Sequence, residues 1–343
     1  MNTVRWIRVA VLAAMAIPVA EATKGVSEAA PGHFVPAAEE GLAAQYVGDR
    51  GIAADPDVIF TEDFEEGSLD AVASRWEEVK TRPIMSLDAD VSAGSSGARS
   101  LLMTHVGGQS NGGHLYRRLL PGYNQAYLRF YVKFDSNCYP IHHFMWLGGY
   151  NPSTNYPQGG AGERPVGNER WTVGIEPFGA AWKWDFYTYW MEMRNGADLN
   201  YWGNDFINDP TLTAQRDRWI CAELMVKMND PVSERNGEQQ LWIDGQSWER
   251  DGQITSHVGP GFPNGHWLWD SFQTNPADPP FEGFRWRNDE ALNLNFLWLQ
   301  LYITDSPEGR ISKVWFDDVV VAKRYIGPIR TATLTSAHVK FPG

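Results

Sequence analysis

The chain has 343 residues and a formal net charge of −13; 43% of its residues are hydrophobic and 13% aromatic, including 16 Trp. A protein this acidic is a poor partner for nucleic acid, and no segment after the N-terminus is long and apolar enough to span a bilayer. Any acidic polymer it binds must be caught by a local basic patch, because charges more than about 8–10 Å apart are screened at physiological salt.

At the N-terminus, Arg5 and Arg8 precede an apolar run from Val9 to Ala20, and Ala20-Glu21-Ala22 supplies a small-x-small cleavage site. This pattern predicts a secretory signal peptide over 1–22 and therefore an extracellular or periplasmic protein. Removing it takes away Arg5, Arg8 and Glu21, a net +1, so the charge moves from −13 to −14. Residues 23–55 read as a loose Ala/Gly-rich leader, 56–330 as one β domain and 331–343 as a tail. An exported chain meets an oxidising compartment, so its two cysteines, Cys138 and Cys221, are expected to form one disulfide, with two buried thiols as the alternative.

Strand signals follow in order. Residues 126–134 alternate Leu128, Phe130, Val132 and Phe134 with Tyr127, Arg129, Tyr131 and Lys133. Residues 182–194 read WKWDFYTYWMEMR, with Trp182, Trp184, Phe186, Thr188, Trp190, Glu192 and Arg194 on one face. Lys183, Asp185, Tyr187, Tyr189, Met191 and Met193 take the other, and neither face is purely apolar. Residues 219–228 place Ile220, Ala222, Leu224, Val226 and Met228 inward, with Trp219, Cys221, Glu223, Met225 and Lys227 outward. Residues 295–304 place Leu297, Leu299, Leu301 and Ile303 inward, with Phe296, Trp298, Gln300 and Tyr302 outward. An ordinary solvated face carries few Trp. Aromatics on the non-core side of several strands predict one shared groove, with a subunit interface or covering loop as the alternative. Loops rich in Gly, Pro, Asn and Asp run from Tyr150 to Arg170 and from Asp251 to Glu290. Short strands between such turns, with no βαβ rhythm, predict an all-β antiparallel sandwich or jelly roll.

Two stretches carry a resemblance. Residues 219–245, with RWICAELMVKMND entering them and LWIDG closing them, resemble the paired strands of concanavalin-A-like jelly rolls. More narrowly, HHFMWLGG at 142–149 and Tyr187-Thr188-Tyr189 resemble secreted polysaccharide lyases of the alginate and glucuronan lyase type, families 14 and 20. The resemblance spans roughly Phe60 to Pro328 and departs from the family at one point: His142 or His143 stands where a family-14 catalytic Lys is expected. It implies a monomeric enzyme that cleaves a uronate-containing polysaccharide by β-elimination. A second likeness lies at the ends. FTEDFEEG at 60–67 and WFDDV at 315–319 resemble the opening and closing motifs of secreted β-sandwiches that hold a structural Ca2+, which implies Asp63, Glu65 and Asp318 as ligands with Asp317 as substitute.

Elimination needs a group that neutralises the substrate carboxylate, a base for the C5 proton and an acid for the leaving oxygen. The expected neutralisers are Arg129 and Arg194, assisted by Gln300. His142 or His143 is expected as base or neutraliser, and Tyr187 or Tyr189 as base and acid. Lys133 and Lys227 are expected to hold neighbouring carboxylates, and Trp184, Trp190, Trp298 and Tyr302 to contact sugar. Two other readings stand beside this one: a lectin-like carbohydrate-binding protein, and a glycoside hydrolase using Glu192 and Glu223.

Overall fold

The computed structural model describes residues 32–36 and 40–331. The signal peptide read over 1–22 and all but the first residue of the tail lie outside them. The strands are β1 (His33–Pro36), β2 (Val58–Glu62), β3 (Glu78–Lys80), β4 (Met85–Asp88), β5 (Ser100–Val106), β6 (Gly112–Tyr123), β7 (Gln125–Phe134), β8 (His143–Tyr150), β9 (Arg170–Phe178), β10 (Lys183–Tyr189), β11 (Trp219–Lys227), β12 (Glu238–Ile243), β13 (Gln246–Arg250), β14 (Gln253–Ile254), β15 (His257–Val258), β16 (Gly265–Leu268), β17 (Ser271–Thr274), β18 (Leu294–Tyr302) and β19 (Ile311–Ala322). The only α-helix among the described residues is the five-residue Leu69–Ala73.

The named strands pair antiparallel, and two sheets form the body of the fold. The large sheet runs β1-β13-β12-β11-β7-β19-β5-β4, with β2, β14 and β15 attached; the six-stranded sheet runs β10-β9-β8-β18-β6-β3. Their inner faces meet in one core. Leu128, Phe130, Val132, Leu224 and Val226 come from the large sheet, and Val173, Ile175, Trp184, Leu297 and Leu299 from the small one, all at most 1% exposed. This is the all-β jelly-roll sandwich that the alternation predicts, with the in-out assignment of β7, β11 and β18 as expected.

The topology corrects the expectation of a single groove. β7 and β11 belong to the large sheet, while β10 and β18 belong to the small one. Because the two sheets bury their inner faces against each other, their outer faces look away from the sandwich in opposite directions. Alternation gives the face of each strand but not its sheet.

The outer face of the large sheet is closed. Leu42, Ala43 and Ile52, from the segment read as a leader, pack on Val320, Ala322 and Ile326. Beneath them Arg129 is fully buried, paired with Asp49 and donating to the carbonyls of Gly327 and Asp318. Glu223 accepts from the amides of Ile326 and Gly327 at 2.7 and 2.8 Å, and burial pushes its carboxyl up to about 7. Cys221 lies on this side with Tyr131 and Ile329, whereas Cys138 sits in the main core. Both are free thiols, so the expected disulfide is not present: the sheet separates the two side chains.

The loop read from Asp251 to Glu290 instead contains four short strands, β14 to β17. It contributes Trp267, Phe272, Phe281, Phe284 and Trp286 to an extension of the core around Trp190 and Phe206. No helix among the described residues is long and apolar enough to cross a membrane.

Candidate active site

On the outer face of the small sheet, β10 presents Asp185, Tyr187 and Tyr189. Its other face, Trp184 and Phe186, is core. This decides between the two faces of the aromatic run in favour of the tyrosines. In β18, Phe296, Trp298, Gln300 and Tyr302 alternate outward as expected. Their partners on β8 and β6 are Trp298↔Trp146, Trp298↔Tyr116, Gln300↔His114 and Tyr302↔His143.

His143 reaches this face through a break in alternation. From Leu299 to Tyr302 is three residues on β18 but only two, Met145 to His143, on β8. That is a β-bulge, the device strands use to re-aim a side chain. Met145 and Phe144 are consecutive core residues, Phe144 packing on Phe130, Phe134 and Phe316. His143 therefore emerges beside Trp146, with ring centroids 5.2 Å apart. His142 is exposed, with its ring 4.3 Å from that of His143 and 5.4 Å from that of Tyr302, and its Nδ1 is 3.0 Å from Thr304 Oγ1.

His143 is tightly framed. Its Nδ1 lies 2.6 Å from Glu176 Oε1, and its ring is stacked on Tyr302 and 5.2 Å from Tyr187. Its side chain is 22% exposed and that of Glu176 only 2%. A buried carboxylate at Nδ1 fixes the ring orientation and leaves the lone pair of the neutral ring on Nε2. Trp146 stacks on Trp298, and His114 lies edge-on to Trp298 with Nε2 3.3 Å from Glu78. Burial holds the His114 imidazole below its ordinary range, so it stays neutral. Three buried donors on this face, Trp146 Nε1, Trp298 Nε1 and Gln300 Nε2, find no acceptor among the described residues. Buried N–H groups are almost always paired, so each of these three can take an acceptor from outside the chain, although Nε1 of Trp171, Trp184, Trp248, Trp267 and Trp315 elsewhere in the fold is likewise without one among the described residues.

The tyrosines are less open than the sequence suggests. Asp185 Oδ1 accepts from the amides of Phe186, Phe206 and Ile207, and Thr188 exchanges backbone hydrogen bonds with Asn204. These bonds cover the edge of β10 and lay Gly203 flat on Tyr187, where an added Cβ would come within 2.3 Å of the ring. Tyr187 and Tyr189 are 8% and 5% exposed. Burial raises both phenols, Tyr187 well above its ordinary value. They stay protonated at neutral pH, which suits proton donation and not proton abstraction.

Several expected site residues lie elsewhere. Arg129 and Glu223 are under the terminal segments of the other sheet, as described. Lys133 pairs with Asp90 and lies 5.3 Å from the Trp315 ring on that same sheet. Lys227 pairs with Glu238 at 2.8 Å. Trp184 and Trp190 are core. Glu192 is held by Arg235 through two 2.8 Å bonds, so Glu192 and Glu223 do not form the carboxylate pair a hydrolase needs. Arg194 lies beyond the end of β10, paired with Glu282 at 3.1 Å. The groups that sequence reasoning missed are Trp146, Glu176 and His114. Glu176 had a signal: Arg170, Thr172, Gly174 and Glu176 form the polar face of β9.

For the ion implied by the chain ends, Asp317 and Asp318 sit at a bulge where β19 meets β7, and Asp318 has φ +45°. Burial and the adjacent Asp318 push the Asp317 carboxyl up to about 8, and Glu65 adds to this. The oxygens of Asp317 and Asp318 accept from Ser92, Ser95 and the Asp318 amide inside the chain. Glu65 Oε1 is held by the amides of Ala98 and Arg99, and Asp63 groups with Glu62 and Glu66, all within 4.8 Å.

No family model and no curated protein matches the chain. Solved structures are similar in fold. Alginate lyase vAL-1 from Chlorella virus is 14% identical, covering 78% of this chain and all of its own, with a TM-score of 0.49. Alginate lyase Aly36B is 13% identical over 78% of this chain and 98% of its own, at 0.47. Endo-β-1,4-glucuronan lyase from the fungus Trichoderma reesei is 15% identical over 78% and 96%, at 0.40. At these identities the likeness is one of fold, and in fold the chain is similar to jelly-roll polysaccharide lyases.

Proposed function

We propose that the chain is an exported polysaccharide lyase that binds a uronate-containing polymer across the outer face of its small sheet and cleaves it by β-elimination. The observation that carries this reading is the placement of His143, oriented by Glu176 at 2.6 Å, on the same sheet face as three buried donors that have no partner among the described residues. Gln300 and the indoles of Trp146 and Trp298 hydrogen-bond the substrate carboxylate, which makes the C5 proton more acidic. His143 Nε2 takes that proton. The released electron pair forms the C4–C5 double bond, the C4–O bond breaks, and Tyr187 or Tyr189 protonates the departing oxygen. Tyr302 and Trp298 contact the sugar rings. The signal-peptide pattern read over 1–22 supports export.

Residues Glu65, Asp317 and Asp318 would hold a structural Ca2+, which would neutralise their mutual repulsion and fasten the last strand to the loop after β2. Added Ca2+ is then expected to raise the melting temperature and chelator to lower it; no change in either direction removes the ion from the account.

One observation favours the non-catalytic reading: the segment at Gly203 covers Tyr187. The two separate on a uronan panel, since a lyase generates an unsaturated product absorbing at about 235 nm and a binder retards in a polysaccharide gel without it. Binding with no chromophore across glucuronan, alginate and related polymers would leave only the carbohydrate-binding function.

A further inference from the structure

A cavity of about 420 Å3 lies at the end of β10, lined by Arg164, Met191, Glu192, Arg194, Arg235 and Glu282. We propose that it is an anion subsite, with Arg164 as ligand to the carboxylate of a second uronate residue of the polymer. This rests on the lyase reading for the identity of the polymer but on different residues. Its volume falls within the range that holds small ligands.

The charges in the cavity differ in what they do. Arg235 is held by Glu192 and Arg194 by Glu282. Arg164 is exposed and makes no ion pair among the described residues; its guanidinium lies 5.3 Å from the Tyr201 ring centroid. Three Arg and two Glu leave a local +1 in a chain of net charge −13. Over the short range at which charges act in salt, this is the kind of basic patch an acidic protein needs to take an acidic polymer. A planar guanidinium with its donors unengaged matches a carboxylate bidentately.

The cavity also lies where the polymer would pass. Gly162, two residues from Arg164, bridges to Tyr201, and Met191 follows Tyr189 by two residues. From Tyr187, which touches His143, to Met191 is four residues, at most about 13 Å at ~3.3 Å per residue. That separation is a few sugar rings along one chain.

The test measures binding of hexaglucuronate, hexamannuronate and the neutral cellohexaose by calorimetry, using the full chain carrying His143→Ala to stop turnover. Adding Arg164→Ala is expected to weaken the hexauronates about 5-fold, to flatten their salt dependence and to leave cellohexaose unchanged. Glu192→Gln, which removes one of the two acidic walls, is expected to strengthen hexauronate binding. Unchanged hexauronate affinity in Arg164→Ala, an equal loss for all three ligands, or no hexauronate binding before that change would overturn the subsite. Failure of the lyase reading looks different. If hexauronate binding depends on Arg164 but the protein with His143 intact makes no chromophore, the subsite stands and elimination falls. If the chromophore forms and Arg164→Ala leaves KM unchanged, elimination stands and the subsite falls.

Discussion

The outer faces of the two sheets look alike in sequence and behave as opposites. β7 and β11 carry Tyr127, Arg129, Tyr131, Trp219 and Glu223; β18 and β10 carry Trp298, Gln300, Tyr302, Tyr187 and Tyr189. On the large sheet the charged groups pair inside the chain, Arg129 with Asp49 and two carbonyls, Glu223 with two amides, and the Tyr131 hydroxyl with the amide of Ile329, although Arg129 Nε, Asp49 Oδ1 and Trp315 Nε1 keep no partner among the described residues. On the small sheet three buried donors have no acceptor among the described residues. The two faces differ in what lies over them: terminal segments cover Arg129 and Glu223, whereas the His143 side chain on the small sheet stays 22% exposed. The distinction lies in what covers the strand, which residues within the strand do not specify.

The largest expected effect breaks the comparison on its structural side. Arg129→Met leaves Asp49 buried without its cation and is expected to cost about 3–5 kcal/mol, read as a fall in the urea midpoint, with kcat per folded molecule unchanged. If kcat collapsed while stability held, Arg129 would belong to chemistry after all. On the other face, His143→Ala is expected to lower kcat per folded molecule about 10²–10⁴-fold, and also to lower the melting temperature because it leaves the buried Glu176 carboxylate without its 2.6 Å partner. Only the second variant should change kcat per folded molecule.

A pH series sharpens the contrast. The Glu223 carboxyl titrates at about 7 in the folded chain against an ordinary 4.5. The folded state therefore binds that proton more tightly than the unfolded state between those values, and stability falls as pH rises from 4.5 to about 7, then levels off. Glu223→Gln removes this share. Relative to wild type, the variant should gain stability between pH 5 and pH 8, by up to about 3 kcal/mol. A wild-type-to-variant difference constant over that interval would contradict the assignment. The smallest effect is at Trp298: Trp298→Ala removes a sugar contact and one of three donors to the carboxylate, and is expected to raise KM and lower kcat about 3–10-fold each.

Much of the fold was legible because burial imposes period two on a strand. The inward residues of β7, β11 and β18 followed from alternation alone, and so did the paired faces of β10. The site was legible only in part. Tyr187, Tyr189, Trp298, Gln300 and Tyr302 converge, whereas Arg129, Lys133, Glu223 and Lys227 do not, because sheet membership is set by long-range pairing. The choice between His142 and His143 was hidden for a related reason: it depends on a bulge defined by β8 and β18 together, 150 residues apart in sequence. Glu176 escaped notice because a lone carboxylate on a half-polar strand matters only once a histidine is placed opposite it.

The central claim is that His143 removes a proton on the outer face of the small sheet. The direct test follows absorbance at about 235 nm on glucuronan and alginate for wild type and His143→Ala. The expected result is a steady rise with wild type and almost none with the variant, both compared per folded molecule. Reducing ends that appear without that absorbance, or a variant as fast as wild type, would contradict it.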